Sequence, residues 1–265
     1  MSQTQNSRWG DLGTRVVSGL IMVTVGVGAV ILGGVVFHFA TALVCGLMIW
    51  EMCRLLNPEQ KGLALQAGLL QGAVLMGAPY LPPMLLLPFL LAPALAIASQ
   101  ARAYRGLLAL FMGAIALAGY QMLFLRDVAG FHWLVWLVAL VVLTDVAGYF
   151  FGRMIGGPKF WPSLSPKKTW AGILGGWVCA GAVGIYFVQS QGAGTWLVPF
   201  SISVAFAAQM GDIAESALKR HVGAKDSSDL IPGHGGLMDR FDGMAGASLY
   251  VMAIVQVLGL SLGGQ

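Results

Sequence analysis

Residues 132–151 read HWLVWLVALVVLTDVAGYFF, with one ionisable acid, Asp145, and no Lys or Arg. As a helix at about 1.5 Å per residue, this stretch is long enough to cross the ~30 Å hydrocarbon layer of a bilayer. The rest of the chain repeats the pattern. Of 265 residues, 57% are hydrophobic and only 10% charged, and the mean hydropathy is +0.78. A soluble domain carries roughly 25% charged residues, so this chain lacks the polar surface to face water all round. Apolar runs recur from Val16 onward, which excludes a soluble domain with a single anchor.

Working outward, hydropathy predicts nine spans, at about 16–33, 35–55, 63–79, 84–100, 106–125, 132–151, 171–190, 196–215 and 243–261. The expected fold is therefore all-α, a polytopic membrane protein with about nine transmembrane helices. Pro79, Pro82, Pro83, Pro88 and Pro93 form a Pro-rich tract across the third and fourth spans, and a membrane helix tolerates Pro interruptions where neighbours re-satisfy its backbone. The first run flows through Gly33 into the second without a polar region or cleavage motif, so it reads as a retained helix rather than a signal peptide. Cys45, Cys53 and Cys179 are scattered through apolar segments and offer neither a disulfide framework nor metal-ligand spacing.

The cations test the span count. With nine spans, the N-terminus and the even-numbered loops share one side of the membrane. That side receives Arg8, Arg15, Arg54, Lys61, Arg102, Arg105, Arg153, Lys159, Lys167, Lys168, Lys219, Arg220, Lys225 and Arg240. The other side receives Arg126 alone. The positive-inside rule makes the crowded side cytoplasmic, so the N-terminus is expected inside and the C-terminus outside. Trp133, Trp136, Trp161, Trp170 and Trp196 fall near span ends, as an interfacial aromatic belt would. Gly172 and Gly176 have the small-xxx-small spacing of close helix contacts, without a partner helix being identifiable.

Seven of the eleven acids lie between residues 145 and 242: Asp145, Asp212, Glu215, Asp226, Asp229, Asp239 and Asp242. Asp145, Asp212 and Glu215 fall within spans, where an ionisable group usually faces a bundle interior or a wet cavity. Asp212, Glu215, Ser216 and Lys219 stand at i, i+3, i+4 and i+7 of one helix, a single stripe. A bland alternative for two of them is an internal Glu215–Lys219 ion pair. Asp239 and Asp242 share a face at the mouth of the last span, whose N-terminal dipole favours negative charge. Carboxylates without Cys or His spacing suit a hard cation such as Mg²⁺, expected on Asp212 and Asp239 directly, with Asp242 in or next to the coordination sphere. Lys167, Lys168, Lys219, Arg220, Lys225 and Arg240 lie on the same expected membrane side, as a triphosphate site would require. The 221–242 loop, with Pro232-Gly233-His234-Gly235-Gly236, allows backbone N–H groups to approach an anion.

Ser216-Ala-Leu-Lys219-Arg220, then Lys225-Asp226, then Pro232-Gly-His234-Gly235-Gly236-Leu-Met-Asp239-Arg240-Phe-Asp242 resembles the signature of the phosphatidate cytidylyltransferases. Residues 145–153 (DVAGYFFGR), 165–169 (SPKKT) and 14–19 (TRVVSG) are similar to further segments of that family. Many relatives carry a carboxylate or amide shortly after SPKKT, where this chain has Ala171. The resemblance implies transfer of the cytidylyl group of CTP to phosphatidate, giving CDP-diacylglycerol and pyrophosphate with Mg²⁺, and K⁺ as a possible second cation. It implies a catalytic region at 131–265, following five N-terminal helices at 1–130, in a bacterial cytoplasmic (inner) membrane. A homodimer is implied too, and no nucleic acid partner. The residues carried over are Asp212, Asp239 and Lys219 as catalytic. Asp145, Ser165, Lys167, Lys168, Ser216, Arg220, Lys225, Asp226, His234, Gly235, Gly236 and Arg240 are carried over as substrate-binding. His234, between glycines, suits holding a phosphate or ribose as well as moving a proton, and is not assigned as a base.

Two rivals explain less. A cation or proton transporter would use Asp145, Asp212 and Glu215 but has no need of the long motif outside the spans. The CDP-alcohol phosphatidyltransferases also use aspartate clusters, in a spacing that this chain lacks. An ether-lipid phosphate acceptor would be a variant of the same reaction.

Reporter fusions check the topology. A periplasmic reading is expected at Gln265 and cytoplasmic readings within 153–170 and 221–242. A cytoplasmic reading at Gln265 would refute the nine-span reading.

Overall fold

The computed structural model describes residues 3–257, with side chains from 13 to 256. Within them lie nine α-helices: α1 (Gln3–Leu32), α2 (Gly34–Leu56), α3 (Lys61–Gly77), α4 (Pro83–Gln100), α5 (Arg105–Phe124), α6 (Phe131–Met154), α7 (Trp170–Gln191), α8 (Leu197–His221) and α9 (Met238–Met252). The first eight are long and apolar enough to cross a membrane among the described residues. A π-helical turn, Ala253–Val257, continues α9, and the rest of the ninth expected span lies outside the described residues. Helices dominate because hydrocarbon offers a backbone no partners, so each segment must bond to itself. Gly33 and Gly34 break the α1–α2 run with positive φ values of 63° and 50°, a region that side chains with a Cβ avoid.

The chain divides into two compact units, residues 1–116 with 222–240 and residues 117–221 with 241–265. Helices α5 and α9 pass from one to the other. In the first unit α2 and α3 touch backbone to backbone: a Cβ at Gly46 would lie 2.8 Å from the Gly68 carbonyl oxygen, and one at Gly68 would lie 2.6 Å from that of Gly46. α4 keeps Pro88 and Pro93 inside the helix. Buried Gln71 of α3 donates to the Leu90 carbonyl between the two prolines (3.4 Å), tying α3 to α4. The α2–α3 and α4–α5 connections are laced together, Asn57 exchanging hydrogen bonds with Ala103 (2.9 and 3.2 Å) and Gln60 accepting from Arg102 N (2.8 Å). Arg54, Lys61, Arg102 and Arg105 therefore gather at one end of this unit.

The second unit packs α6, α7 and α8. Gly172 and Gly176 find their partner here: α7 meets α6, a Cβ at Gly172 falling 2.5 Å from the Gly148 carbonyl oxygen and one at Gly176 2.8 Å from Thr144 Cγ2. Gly184 packs likewise against Ser201 and Val198 of α8. Trp133 and Trp136 correct the aromatic-belt reading. They are 6% and 0% exposed, and Trp136 donates to Ser201 Oγ (3.0 Å) and stacks on Phe200. The ring-stacking partner and the hydroxyl acceptor, rather than apolar area alone, hold the indole in the helix interface.

A short antiparallel hairpin, β1 (Lys159–Trp161) and β2 (Ser165–Thr169), interrupts the helical pattern. It fills the expected α6–α7 loop, and Thr169 ends it by capping α7, its Oγ1 accepting from Gly172 N (3.2 Å).

Gly172→Leu should lower the detergent-solubilised Tm by several degrees, since overpacking a tight interface costs about 1–3 kcal/mol. Gly26→Leu, on α1 with nothing within 4 Å of its Cβ position, should leave Tm unchanged. Equal Tm values for the two variants would contradict the packing described.

Candidate active site

The hairpin decides which lysine faces inward. Successive side chains on a strand point to opposite faces, so Lys167 is exposed while Lys168 turns into the second unit. There Lys168 Nζ reaches Asp212 Oδ2 on α8 (2.5 Å) and, more loosely, the Gln209 carbonyl (3.4 Å). Ser216, one turn after Asp212, donates weakly to its Oδ1 (3.4 Å).

Glycine contacts bring the next carboxylate alongside. A Cβ at Gly211 would fall on the Asp242 carbonyl oxygen and lie 3.0 Å from Gly246 Cα, so α8 and α9 touch beside Asp212. Asp242 feels the charges of Asp212, Asp145 and Lys168, and Asp145 feels Lys168 and Asp212. Asp242 stands just before the ninth apolar span. Burial holds its carboxyl above the ordinary carboxylate range, Asp212 pushes the same way, and the Gly243 N–H donating to it (2.7 Å) opposes them. Asp145, Asp212 and Asp242 thus form an acidic set with one ammonium against it. Among the described residues no three His, Cys, Asp or Glu groups close tightly enough to hold a metal ion. In kind the donors fit one: carboxylate oxygens without sulfur or imidazole are what a hard divalent cation takes, and their charge exceeds that of Lys168.

Farther along α8 the bland alternative holds in the structure. Lys219 Nζ lies 2.6 Å from Glu215 Oε2, and the two residues are 8% and 3% exposed. Arg220, in the last turn of α8, is exposed.

In the first unit the motif loop is tied to α1 and α2. Ile231 and Gly235 pair across a tight turn, Ile231 N donating to Gly235 O (2.8 Å) and His234 N to Ile231 O (2.9 Å). Pro232 fixes the first corner and Gly233, φ 76°, the second, the residues a type II turn asks for. His234 Nδ1 lies 2.8 Å from Ser18 Oγ of α1, which also donates toward the Pro232 carbonyl (3.0 Å). Arg240 turns back on the loop, its Nε and Nη2 donating to the His234 carbonyl (3.0 and 2.6 Å). Asp239 Oδ2 accepts from Ser227 N, Ser227 Oγ and Gly236 N (3.0, 2.8 and 2.8 Å). Lys225 and Asp226 are exposed, and Gly236 is buried.

Sequence reasoning missed Glu51, Ser227 and Ser228. Glu51 sits in the second predicted span, fully buried, and accepts from Ser228 Oγ (2.5 Å), Leu237 N (3.0 Å) and Met238 N (2.7 Å). The signal was available: a lone acid in an apolar span is a functional candidate by default.

A model described as the Cytidylyltransferase family matches residues 13–258. The chain is 35% identical to the "Phosphatidate cytidylyltransferase" of Brucella suis biovar 1 (strain 1330) over 254 residues, covering 92% of this chain and 94% of that one. It is 37% identical to the protein of the same name from Staphylococcus saprophyticus subsp. saprophyticus over 143 residues, 53% of this chain and 54% of that one.

Removing one partner of a buried pair strands the other charge, at a cost of about 3–5 kcal/mol. Lys219→Met should therefore lower Tm strongly, and the double variant Glu215→Gln/Lys219→Met should recover most of the loss. A single variant as stable as wild type would show that the pair holds nothing together.

Proposed function

From the premise that this chain belongs to the Cytidylyltransferase family, we propose that it transfers the cytidylyl group of CTP to phosphatidate, giving CDP-diacylglycerol and pyrophosphate. The observation that carries this reading is the acidic set of Asp145, Asp212 and Asp242 with Lys168 against Asp212. A phosphate oxygen of phosphatidate attacks the α-phosphorus of CTP. That P–O bond forms as the bond to the β-phosphate bridging oxygen breaks, and pyrophosphate leaves with the electron pair. The attacking group is a phosphate monoester with a second pKa of about 6, so it arrives largely ionised and needs no catalytic base. What remains to be supplied is charge neutralisation and in-line placement.

Asp212 and Asp242, with Asp145 beside them, are the groups we assign to Mg²⁺, which when bound would neutralise phosphate charge. Lys168 takes a phosphate oxygen once its partner carboxylate is shared. Asp239, whose Oδ2 is committed to Ser227 and Gly236, is assigned to shaping the motif loop rather than to the direct ligation expected from sequence. Lys219 reaches a phosphate only by leaving Glu215, so its first role is as that partner. Lys167, Lys225 and Arg220 are exposed cations that keep their expected task of attracting anionic substrates, and Ser165 and Ser216 remain candidates for polar contacts. The motif loop keeps its expected role in anion binding.

The reading also includes a bacterial cytoplasmic membrane, with the N-terminus and both motif loops inside, and a homodimer. The fourteen-to-one distribution of Lys and Arg among loops supports the orientation. The homodimer rests on family resemblance alone.

Purified protein with labelled CTP and phosphatidate tests the reaction. Labelled CDP-lipid is expected, abolished by chelator and restored by Mg²⁺. Asp212→Asn and Asp242→Asn should each reduce turnover by about 100-fold or more, the scale of losing a charge-stabilising group, while Glu59→Gln, on an exposed loop, should match wild type. Ion flux without labelled lipid would transfer the case to the transporter reading.

A further inference from the structure

Glu51 is a fully buried acid that the reaction does not explain. It stands in α2 within an apolar span, 0% exposed, where an unpaired carboxylate is costly. Both of its oxygens are used. Oε1 accepts from Ser228 Oγ (2.5 Å) and Leu237 N (3.0 Å), while Oε2 accepts from Met238 N (2.7 Å) and, at the limit, Ser227 Oγ (3.4 Å).

The backbone donors identify the role. Met238 opens α9, and the first amides of a helix have no partner inside it. A local cap would come from Ser, Thr, Asp or Asn at the preceding position, but that position is Leu237, whose side chain has no acceptor. Glu51 supplies the missing acceptor from another helix, and its charge suits the positive end of the α9 dipole. The fit leaves no slack. A Cβ at Gly236 would collide with Ser227 Oγ and lie 2.7 Å from Glu51 Oε1, so Gly236 is the residue that lets the loop pass over the carboxylate. The same Gly236 and Ser227 donate to Asp239. One carboxylate thus fastens both ends of the 227–238 segment, and Asp239 closes it from within.

We infer that Glu51 is a positioning residue, a cap supplied by α2 that holds the Ser227–Arg240 loop in the geometry the cytidylyl transfer uses. The inference rests on the proposed reaction for its effect on turnover, but not for its effect on the loop.

The isosteric Glu51→Gln variant separates positioning from packing. It keeps volume and shape, yet offers one acceptor oxygen and turns an NH₂ toward backbone or serine donors. A residue that only filled space would tolerate it. Two readouts are taken on the full-length protein in lipid nanodiscs: hydrogen exchange of peptides covering 227–240, and kcat and KM for CTP. Faster exchange confined to that segment is expected, with kcat lowered about 30-fold or more, since bonds to a charged acceptor are each worth about a tenfold factor or more. Wild-type exchange, or wild-type kcat despite faster exchange, overturns the inference. If wild-type protein makes no CDP-lipid, the proposed reaction fails, and exchange in Glu51→Gln alone decides whether Glu51 fastens the loop. If Glu51→Gln does not fold, Ser228→Ala removes one donor to Glu51, together with the acceptor of Leu230 N (3.1 Å), and is read by the same two measurements, with a kcat loss of about 3-fold or more expected and wild-type values in both overturning the inference.

Discussion

A charge or an unbonded amide beneath the membrane surface has no water to turn to, and most of this molecule's specific geometry answers that constraint. Apolar helices alone would pack in many ways, because lipid is as good a neighbour as leucine. The acids remove that freedom. Asp212 meets Lys168, Glu215 meets Lys219, and Glu51 meets the amides at the start of α9. The two pairings that join different elements, Lys168 with Asp212 and Glu51 with α9, fix which face turns inward and at what height, while Glu215 and Lys219 satisfy each other within α8. Glycines then allow the approach: Gly148 against Gly172, Gly46 against Gly68 and Gly211 against Gly246 put backbones in contact where the polar side chains must meet.

Helices as such were legible because they depend on short-range pattern. Each predicted span from the first to the eighth corresponds to a helix, including α4 with its two internal prolines. What periodicity does not carry is partnership. Gly172 and Gly176 had the right spacing and no identifiable partner, and Trp136 sat near a span end yet proved to be core. The hairpin at 159–169 is likewise too short for a pattern to register, and its prolines at 158, 162 and 166 read as loop. Its two-residue alternation is nonetheless what separates the roles of Lys167 and Lys168.

The candidate site was legible in its residue types and less so in their pairings. The stripe of Asp212, Glu215, Ser216 and Lys219 on one helix is real, but it splits in use: Asp212 and Ser216 go with Lys168, while Glu215 and Lys219 satisfy one another. Asp239 and Asp242 share a helix turn and also diverge, one bonding to its own loop and the other lying beside Asp212. Sequence spacing puts groups on a common face but does not say which long-range donor reaches them first. Glu51 is the extreme case, since its partners lie more than 170 residues away.

The charge balance of the second unit argues for what the site is built to receive. Asp242 feels both Asp145 and Asp212, and the Lys168 ammonium acts on all three carboxylates. Like charges repel more strongly as the effective dielectric falls below that of water, and here three carboxylates face one ammonium. Protonating one acid relieves the repulsion, and so does taking up a divalent cation; burial, ahead of the charge of Asp212, is what pushes Asp242 upward. For the reaction proposed, the second route would be the useful one, because the nucleophile is itself an anion and the leaving group more anionic still. An enzyme with an already ionised nucleophile has little use for a base of tuned pKa. Its ionisable groups serve best as a reservoir of opposite charges that substrate and cation can exchange partners with, and an excess of carboxylate over lysine is the form such a reservoir takes before either arrives.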